Sequence, residues 1–206
     1  MNNLQFVHRY LPGKTPDARL LLLLHGTGGD ESDLLPLGRE LASEAAFLSP
    51  RGKASENGAA RFFRRDAEGV FDEGDVIRRA HELADFVVAA AAQYHFDLTR
   101  VIAVGYSNGA NIAAALLLLR PEVLSGAVLF RAMVPLSQPP LASDLKHKPV
   151  FISAGAADRI IPASNAEQLA ALLKDRGAAV TLRVIQASHR LVREDVTSAK
   201  AWLDLL

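Results

Sequence analysis

The chain contains no cysteine, and that one absence removes disulfides, thiolate catalysis and thiolate metal sites together. It also carries no net charge, with 23 Lys and Arg against 23 Asp and Glu. An electrostatically driven nucleic-acid binder would be basic overall, so no nucleic-acid partner is expected. Long apolar runs are missing too. The longest, Leu20 to Leu24 and Ala110 to Leu119, are too short to span a bilayer. The opening Met1-Asn2-Asn3-Leu4-Gln5 lacks a basic segment followed by an apolar one, so no secretory signal is expected. These features lead to the expectation of a soluble cytoplasmic protein without a membrane span.

What the chain does have is an alternation of strand-like and helix-like segments. Phe6–Tyr10, Leu20–Leu24, Ala46–Ser49, Val101–Val104, Gly126–Phe130, Val150–Ser153 and Val180–Ile185 read as strands, most of them continuously apolar. Between them, apolar residues recur at or near helical spacing over 30–45 and 75–93, and the alanine- and leucine-rich 108–119, 166–176 ahead of Gly177, and 192–206 also read as helices. Apolar strands separated by helices imply an α/β fold, with a mostly parallel central sheet covered by helices on both faces. No repeat, low-complexity tract or linker divides the 206 residues, so a single domain over 1–206 is expected. Ligands in such sheets bind outside the carboxyl ends of the strands.

One segment carries most of the chemistry. Val101-Ile102-Ala103-Val104-Gly105-Tyr106-Ser107-Asn108-Gly109-Ala110 contains Gly-x-Ser-x-Gly between a strand and a helix, the context this motif requires. A serine on so sharp a turn needs neighbours without bulk, and its hydroxyl then stands above the sheet at a helix N-terminus, where negative charge is favoured. A glycine-rich turn with an idle serine is the bland alternative. The flanking strand and helix argue against it, and Ser107 is the candidate nucleophile.

A serine hydroxyl needs a base, and the base an orienting group. His189 lies in a short loop after the strand 180–185, at the carboxyl edge, whereas His147 sits in the basic Lys146-His147-Lys148-Pro149 approach to a strand. His189 is therefore the candidate base. Asp158 ends the loop after the strand 150–153 and is the candidate orienter; Asp144 and Asp175 are not on post-strand loops. A turn or helix-cap role is the bland alternative for Asp158. His25-Gly26-Thr27-Gly28-Gly29, after the strand 20–24, places the Thr27 N–H as an oxyanion donor beside that of Asn108. His25 reads as a structural histidine holding that loop.

Together these segments resemble the α/β-hydrolase superfamily, and more narrowly its small, lid-less carboxylesterase and phospholipase-like branch, over nearly the whole chain. The matching stretches are Leu24-His25-Gly26-Thr27-Gly28-Gly29, Gly105-Tyr106-Ser107-Asn108-Gly109-Ala110-Asn111, Gly155-Ala156-Ala157-Asp158-Arg159-Ile160-Ile161-Pro162, and His189 with Leu191. Arg61-Phe62-Phe63-Arg64-Arg65 and Phe130-Arg131-Ala132-Met133-Val134-Pro135 look like a subgroup of bacterial hydrolases, some of whose members are associated with quinone or aromatic-compound stress. The resemblance implies the triad Ser107, Asp158 and His189 with backbone oxyanion donors at Thr27 and Asn108. It also brings a homodimer into consideration, that state being common in the branch. Two departures stand out. Relatives commonly carry glycine just before the catalytic histidine, where this chain has Ala187-Ser188, and acyl-protein thioesterases usually carry glutamine where Asn108 stands.

The expected chemistry is hydrolysis of a small or accessible carboxylic ester through an acyl-enzyme, with no cofactor and no metal. A lysophospholipase or acyl thioesterase is the alternative enzyme, and a non-catalytic ligand-binding relative the alternative of another class. Fewer than twenty residues separate Phe130 from Val150, too few for a large cap. The 51–75 segment is the expected wall, with Phe62, Phe63 and Phe71 as substrate-binding surface, and 136–141 another rim. Arg61, Arg64 and Arg65 could meet an acidic group, but a solvated or ion-paired face is the favoured reading.

Overall fold

A computed structural model describes residues 4–140 and 144–206. In chain order the elements are β1 (His8–Leu11), β2 (Leu20–Leu24), α1 (Leu35–Leu41), β3 (Ala46–Pro50), β4 (Ala54–Glu56), β5 (Ala59–Arg61), β6 (Arg65–Ala67), β7 (Val70–Phe71), α2 (Glu73–Tyr94), β8 (Val101–Tyr106), α3 (Asn108–Leu119), β9 (Gly126–Phe130), β10 (Pro149–Gly155), α4 (Ala163–Asp175), β11 (Ala179–Ile185) and α5 (Arg193–Leu203).

Seven strands form the central sheet in the order β1-β3-β2-β8-β9-β10-β11. Only β1 runs antiparallel, pairing with β3 from His8 opposite Pro50 to Leu11 opposite Phe47; the other ladders are parallel. The five leucines of β2 are all fully buried because helices cover both faces and the two sides of the strand meet different cores. Leu20, Leu22 and Leu24 pack with α2, α3 and α4, while Leu21 and Leu23 pack with α1 and α5. α3 is buried almost all round, as its unbroken Ala and Leu content requires of a helix lodged between a sheet and α2.

One expectation about an element needs correction. The helix expected over 30–45 is the short α1, Leu35–Leu41, with Pro36 in its first turn. Proline lacks the N–H and clashes with the preceding turn, so it is tolerated where a helix begins and not inside it. The 51–75 segment, in which the sequence shows no clear period, folds into two hairpins, β4 on β5 and β6 on β7. No large cap is present among the described residues. Among the described residues of 131–148 there is no helix or strand, and no described helix is long and apolar enough to cross a membrane.

Candidate active site

The carboxyl ends of β2, β8 and β10 and the loop after β11 converge on one place. Ser107 occupies the turn between β8 and α3 with φ +52° and ψ −113°, a conformation costly for a residue with a Cβ and held only when its surroundings enforce it. Its N–H donates to Phe130 O at 2.9 Å, and its carbonyl accepts from Asn111 N–H at 3.0 Å. The flanking glycines are sterically required. A Cβ on Gly109 would stand 1.9 Å from Leu24 O, and one on Gly105 2.5 Å from Gly109 O. Close packing of α3 on the end of β2 is what lifts the serine hydroxyl clear.

That hydroxyl lies 3.0 Å from His189 Nε2, and His189 Nδ1 lies 2.8 Å from Asp158 Oδ2. Nδ1–H donates to the carboxylate, which leaves Nε2 as the acceptor facing Ser107. The other carboxylate oxygen, Asp158 Oδ1, accepts from the N–H groups of Ile160 and Ile161 at 2.8 and 3.0 Å. With its side chain buried, Asp158 is thus held at both oxygens. His147, the alternative histidine, is exposed on the approach to β10.

Thr27 and Asn108 line the same small pocket as Ser107, about 50 Å³ in volume. Asn108 opens α3, where the first N–H groups have no acceptor within the helix. Both residues are stitched to the β4–β5 hairpin. Arg61 Nη1 donates to Thr27 Oγ1 at 2.7 Å, Gly28 N–H to Ala60 O at 2.9 Å, and Phe62 N–H to Asn108 Oδ1 at 2.7 Å. The last bond fixes the amide orientation and leaves Asn108 Nδ2 buried without a partner.

Of the three aromatic residues expected to form the substrate surface, only Phe71 lines the pocket. Phe62 and Phe63 are core residues, 3% and 0% exposed. The hairpin turns them inward, Phe62 onto the His25 ring at 4.7 Å and Phe63 onto Phe71 at 4.9 Å. Apolar walls come instead from Met133, Ile160 and Ile161, residues not singled out beforehand. Asn111, also in the lining, was legible in principle, since it stands one helical turn beyond Ser107. Leu136, in the expected second rim, is buried in the core, and Leu141 lies outside the described residues.

The arginine cluster divides. Arg64 is exposed and pairs with Asp72, and Arg65 pairs with Glu56. Arg61 is buried, bonded to Thr27 and to Phe63 O and ion-paired to Glu56 at 3.1 Å. His25 is buried as well. Gly52 N–H donates to its Nε2 at 3.0 Å, so the proton sits on Nδ1 and goes to Gly26 O at 2.7 Å. Burial lowers its pKa below the ordinary histidine value, outweighing the opposing pull of Gly26 O, Asp33 and Asp30. It is a strut between two loops and does not reach the reacting atoms. Among the described residues no three metal-ligating side chains converge.

The phospholipase/carboxylesterase family pattern matches residues 9–206. The chain belongs to that family. Over 195 residues it is 46% identical to MhqD of Bacillus subtilis (strain 168), a match covering 95% of this chain and 96% of that one. Its fold superimposes on the Bacillus cereus carboxylesterase with a TM-score of 0.95 at 48% identity, covering 98% and 95% of the two chains. The Mesorhizobium loti carboxylesterase gives a TM-score of 0.92 at 32% identity, covering 99% and 97%. This member of the phospholipase/carboxylesterase family is accordingly an ester-hydrolysing enzyme with an α/β-hydrolase fold.

Proposed function

We propose that the enzyme hydrolyses small carboxylic esters through an acyl-enzyme on Ser107. His189 Nε2 takes the hydroxyl proton as Oγ attacks the ester carbonyl. Asp158 keeps the imidazole in the required tautomer and stabilises the imidazolium. The N–H groups of Thr27 and Asn108 receive the oxyanion. Collapse of the tetrahedral intermediate breaks the ester C–O bond, and the imidazolium proton goes to the departing alkoxide. Water then attacks the acyl-enzyme with His189 again as base, releasing the acid and restoring Ser107.

The observation that carries this reading is the unbroken relay from Ser107 Oγ through His189 to Asp158, at 3.0 and 2.8 Å, on a turn with positive φ. The small pocket supports a short substrate. Selectivity for long acyl chains grows by about 0.8 kcal/mol per buried methylene, and a pocket of about 50 Å³ leaves few methylenes to bury.

Turnover of p-nitrophenyl acetate and butyrate by the purified enzyme tests the proposal. Ser107→Ala is expected to lose on the order of 10⁴- to 10⁶-fold in kcat and all fluorophosphonate labelling. Normal turnover in that variant would sink the assignment, and a profile rising beyond octanoate would favour a lysophospholipase or thioesterase.

A further inference from the structure

The loop that carries His189 has no glycine near the histidine, yet its backbone is held at four successive carbonyls. Ala187 O accepts from Ala157 N–H at 3.0 Å and Ser188 O from Arg131 Nε at 3.0 Å. His189 O accepts from the Tyr106 hydroxyl at 3.2 Å, and Arg190 O from Arg131 Nη2 at 3.1 Å. One guanidinium therefore grips the chain on both sides of the histidine, and a tyrosine holds the histidine's own carbonyl.

Arg131 is the largest fully buried side chain of the molecule's described residues. Its charge is met by Asp195, also fully buried, in a two-point pair at 2.8 Å on each oxygen. Asp195 in turn accepts from Ser153 Oγ at 2.5 Å and from Val192 N–H at 2.8 Å, which fixes the start of α5. A buried ion pair is a weak source of net stability, since desolvation offsets most of its attraction. Planar, multi-point geometry is what a guanidinium supplies and an apolar pair would not.

The backbone of this arginine matters equally. Arg131 follows Phe130 at the end of β9 with φ +57°, and its N–H donates to Ser153 O at 2.9 Å. The carbonyl of Phe130 is the acceptor for Ser107 N–H. Two consecutive residues thus hold the serine turn through a main-chain bond and the histidine loop through a side chain.

We propose that Arg131, locked by Asp195 and assisted by Tyr106, is a positioning residue that sets the distance between His189 and Ser107. The proposal rests on the triad reading above. It assigns to the Phe130-Arg131 pair the role of a crossbar between nucleophile and base. Burial raises the Tyr106 phenol above its ordinary pKa, so the hydroxyl stays a donor to His189 O across the working range of an esterase.

The test compares Arg131→Lys and Tyr106→Phe with the parent enzyme on p-nitrophenyl acetate, alongside the thermal midpoint and the fluorophosphonate labelling rate of Ser107. Lysine keeps the charge opposite Asp195 but cannot reach both loop carbonyls. Displacement of a reacting group by about 1 Å costs roughly 100-fold, so Arg131→Lys is expected to lose on the order of 10- to 100-fold in kcat with KM nearly unchanged. Labelling should fall in parallel. Tyr106→Phe removes a single bond at a partly exposed side chain; it should fold normally and lose on the order of 3- to 10-fold in kcat, again without a change in KM. It carries the test alone if Arg131→Lys does not fold. In Arg131→Gly, millimolar methylguanidinium should restore part of the labelling rate, whereas neutral methylurea should not. Parent-like kcat and labelling in folded Arg131→Lys and Tyr106→Phe would overturn the proposal. Ser107→Ala separates the two readings: if it is inactive while the positioning variants are normal, the triad stands and only the crossbar falls.

Discussion

Arg61 Nη1 and the Thr27 hydroxyl are 2.7 Å apart, so the loop proposed to offer an oxyanion donor is fixed by a buried residue of the neighbouring hairpin. Arg61→Met should release that loop while keeping the bulk of the side chain. Expected are a fall in kcat of on the order of 10- to 100-fold and a lower thermal midpoint, because Glu56 loses one of its two arginine partners. Thr27→Val removes only the hydroxyl acceptor and should show a smaller kinetic loss. Kinetics and melting curves of both variants check this.

Asp158→Asn preserves shape and reverses a hydrogen bond. An amide N–H placed toward His189 Nδ1 favours the tautomer with the proton on Nε2, which cannot accept from Ser107. A drop in kcat of about 10⁴-fold is expected, with the fold intact by circular dichroism because the other oxygen still accepts from Ile160 and Ile161. Retained activity would argue that Asp158 merely shapes its turn.

Stability should depend on His25. Burial depresses its pKa in the folded state, so below the unfolded value of about 6.5 the unfolded chain binds the extra proton first. The contribution is therefore fully present above that pH, and it is lost as the pH falls toward the depressed folded value. Denaturant midpoints should decline on acidification from pH 7 to 5. His25→Gln should flatten that part of the profile at some cost in stability at pH 7, which urea titrations at fixed pH would reveal.

Gly109→Ala adds one methyl group where Leu24 O lies 1.9 Å away. Backbone must move, and the backbone in question is the end of β2 leading into the His25–Gly29 loop. Loss of kcat by at least 100-fold is expected, together with a reduced thermal midpoint. Gly58→Ala, with open space around its Cβ position but a positive φ, should cost about 1 kcal/mol or somewhat more through backbone strain alone and spare activity.

Most of the sheet was legible because most of its strands are largely apolar and are separated by segments of helical length, some of them with a clear period. The positions of Ser107, Asp158 and His189 followed from strand ends, which is where the structure brings the three side chains into hydrogen-bond contact. Less could be read in 51–75. Strands of two or three residues are too short to show a period, and nothing local distinguishes an aromatic residue facing a ligand from one facing the core. Phe62 and Phe63 were misread for that reason. Arg131 was visible only as part of a motif. Its partner Asp195 lies 64 residues further on, and a buried arginine has no signature until the chain that surrounds it is assembled.

Ser107, Asp158 and His189 sit on loops that follow three different strands, and the histidine is 82 residues from the serine it faces. No single strand with its following loop contains the arrangement, so under the proposed mechanism catalysis reports on the assembly of the sheet. During synthesis the serine turn emerges long before its histidine, so under the proposed mechanism the hydroxyl has no base until the loop after β11 has docked. Under the proposed mechanism the enzyme gains its reactivity only when this late loop is in place, and a shift of β11 by one register step, which would turn its side chains to the opposite face of the sheet, would carry His189 away from Ser107.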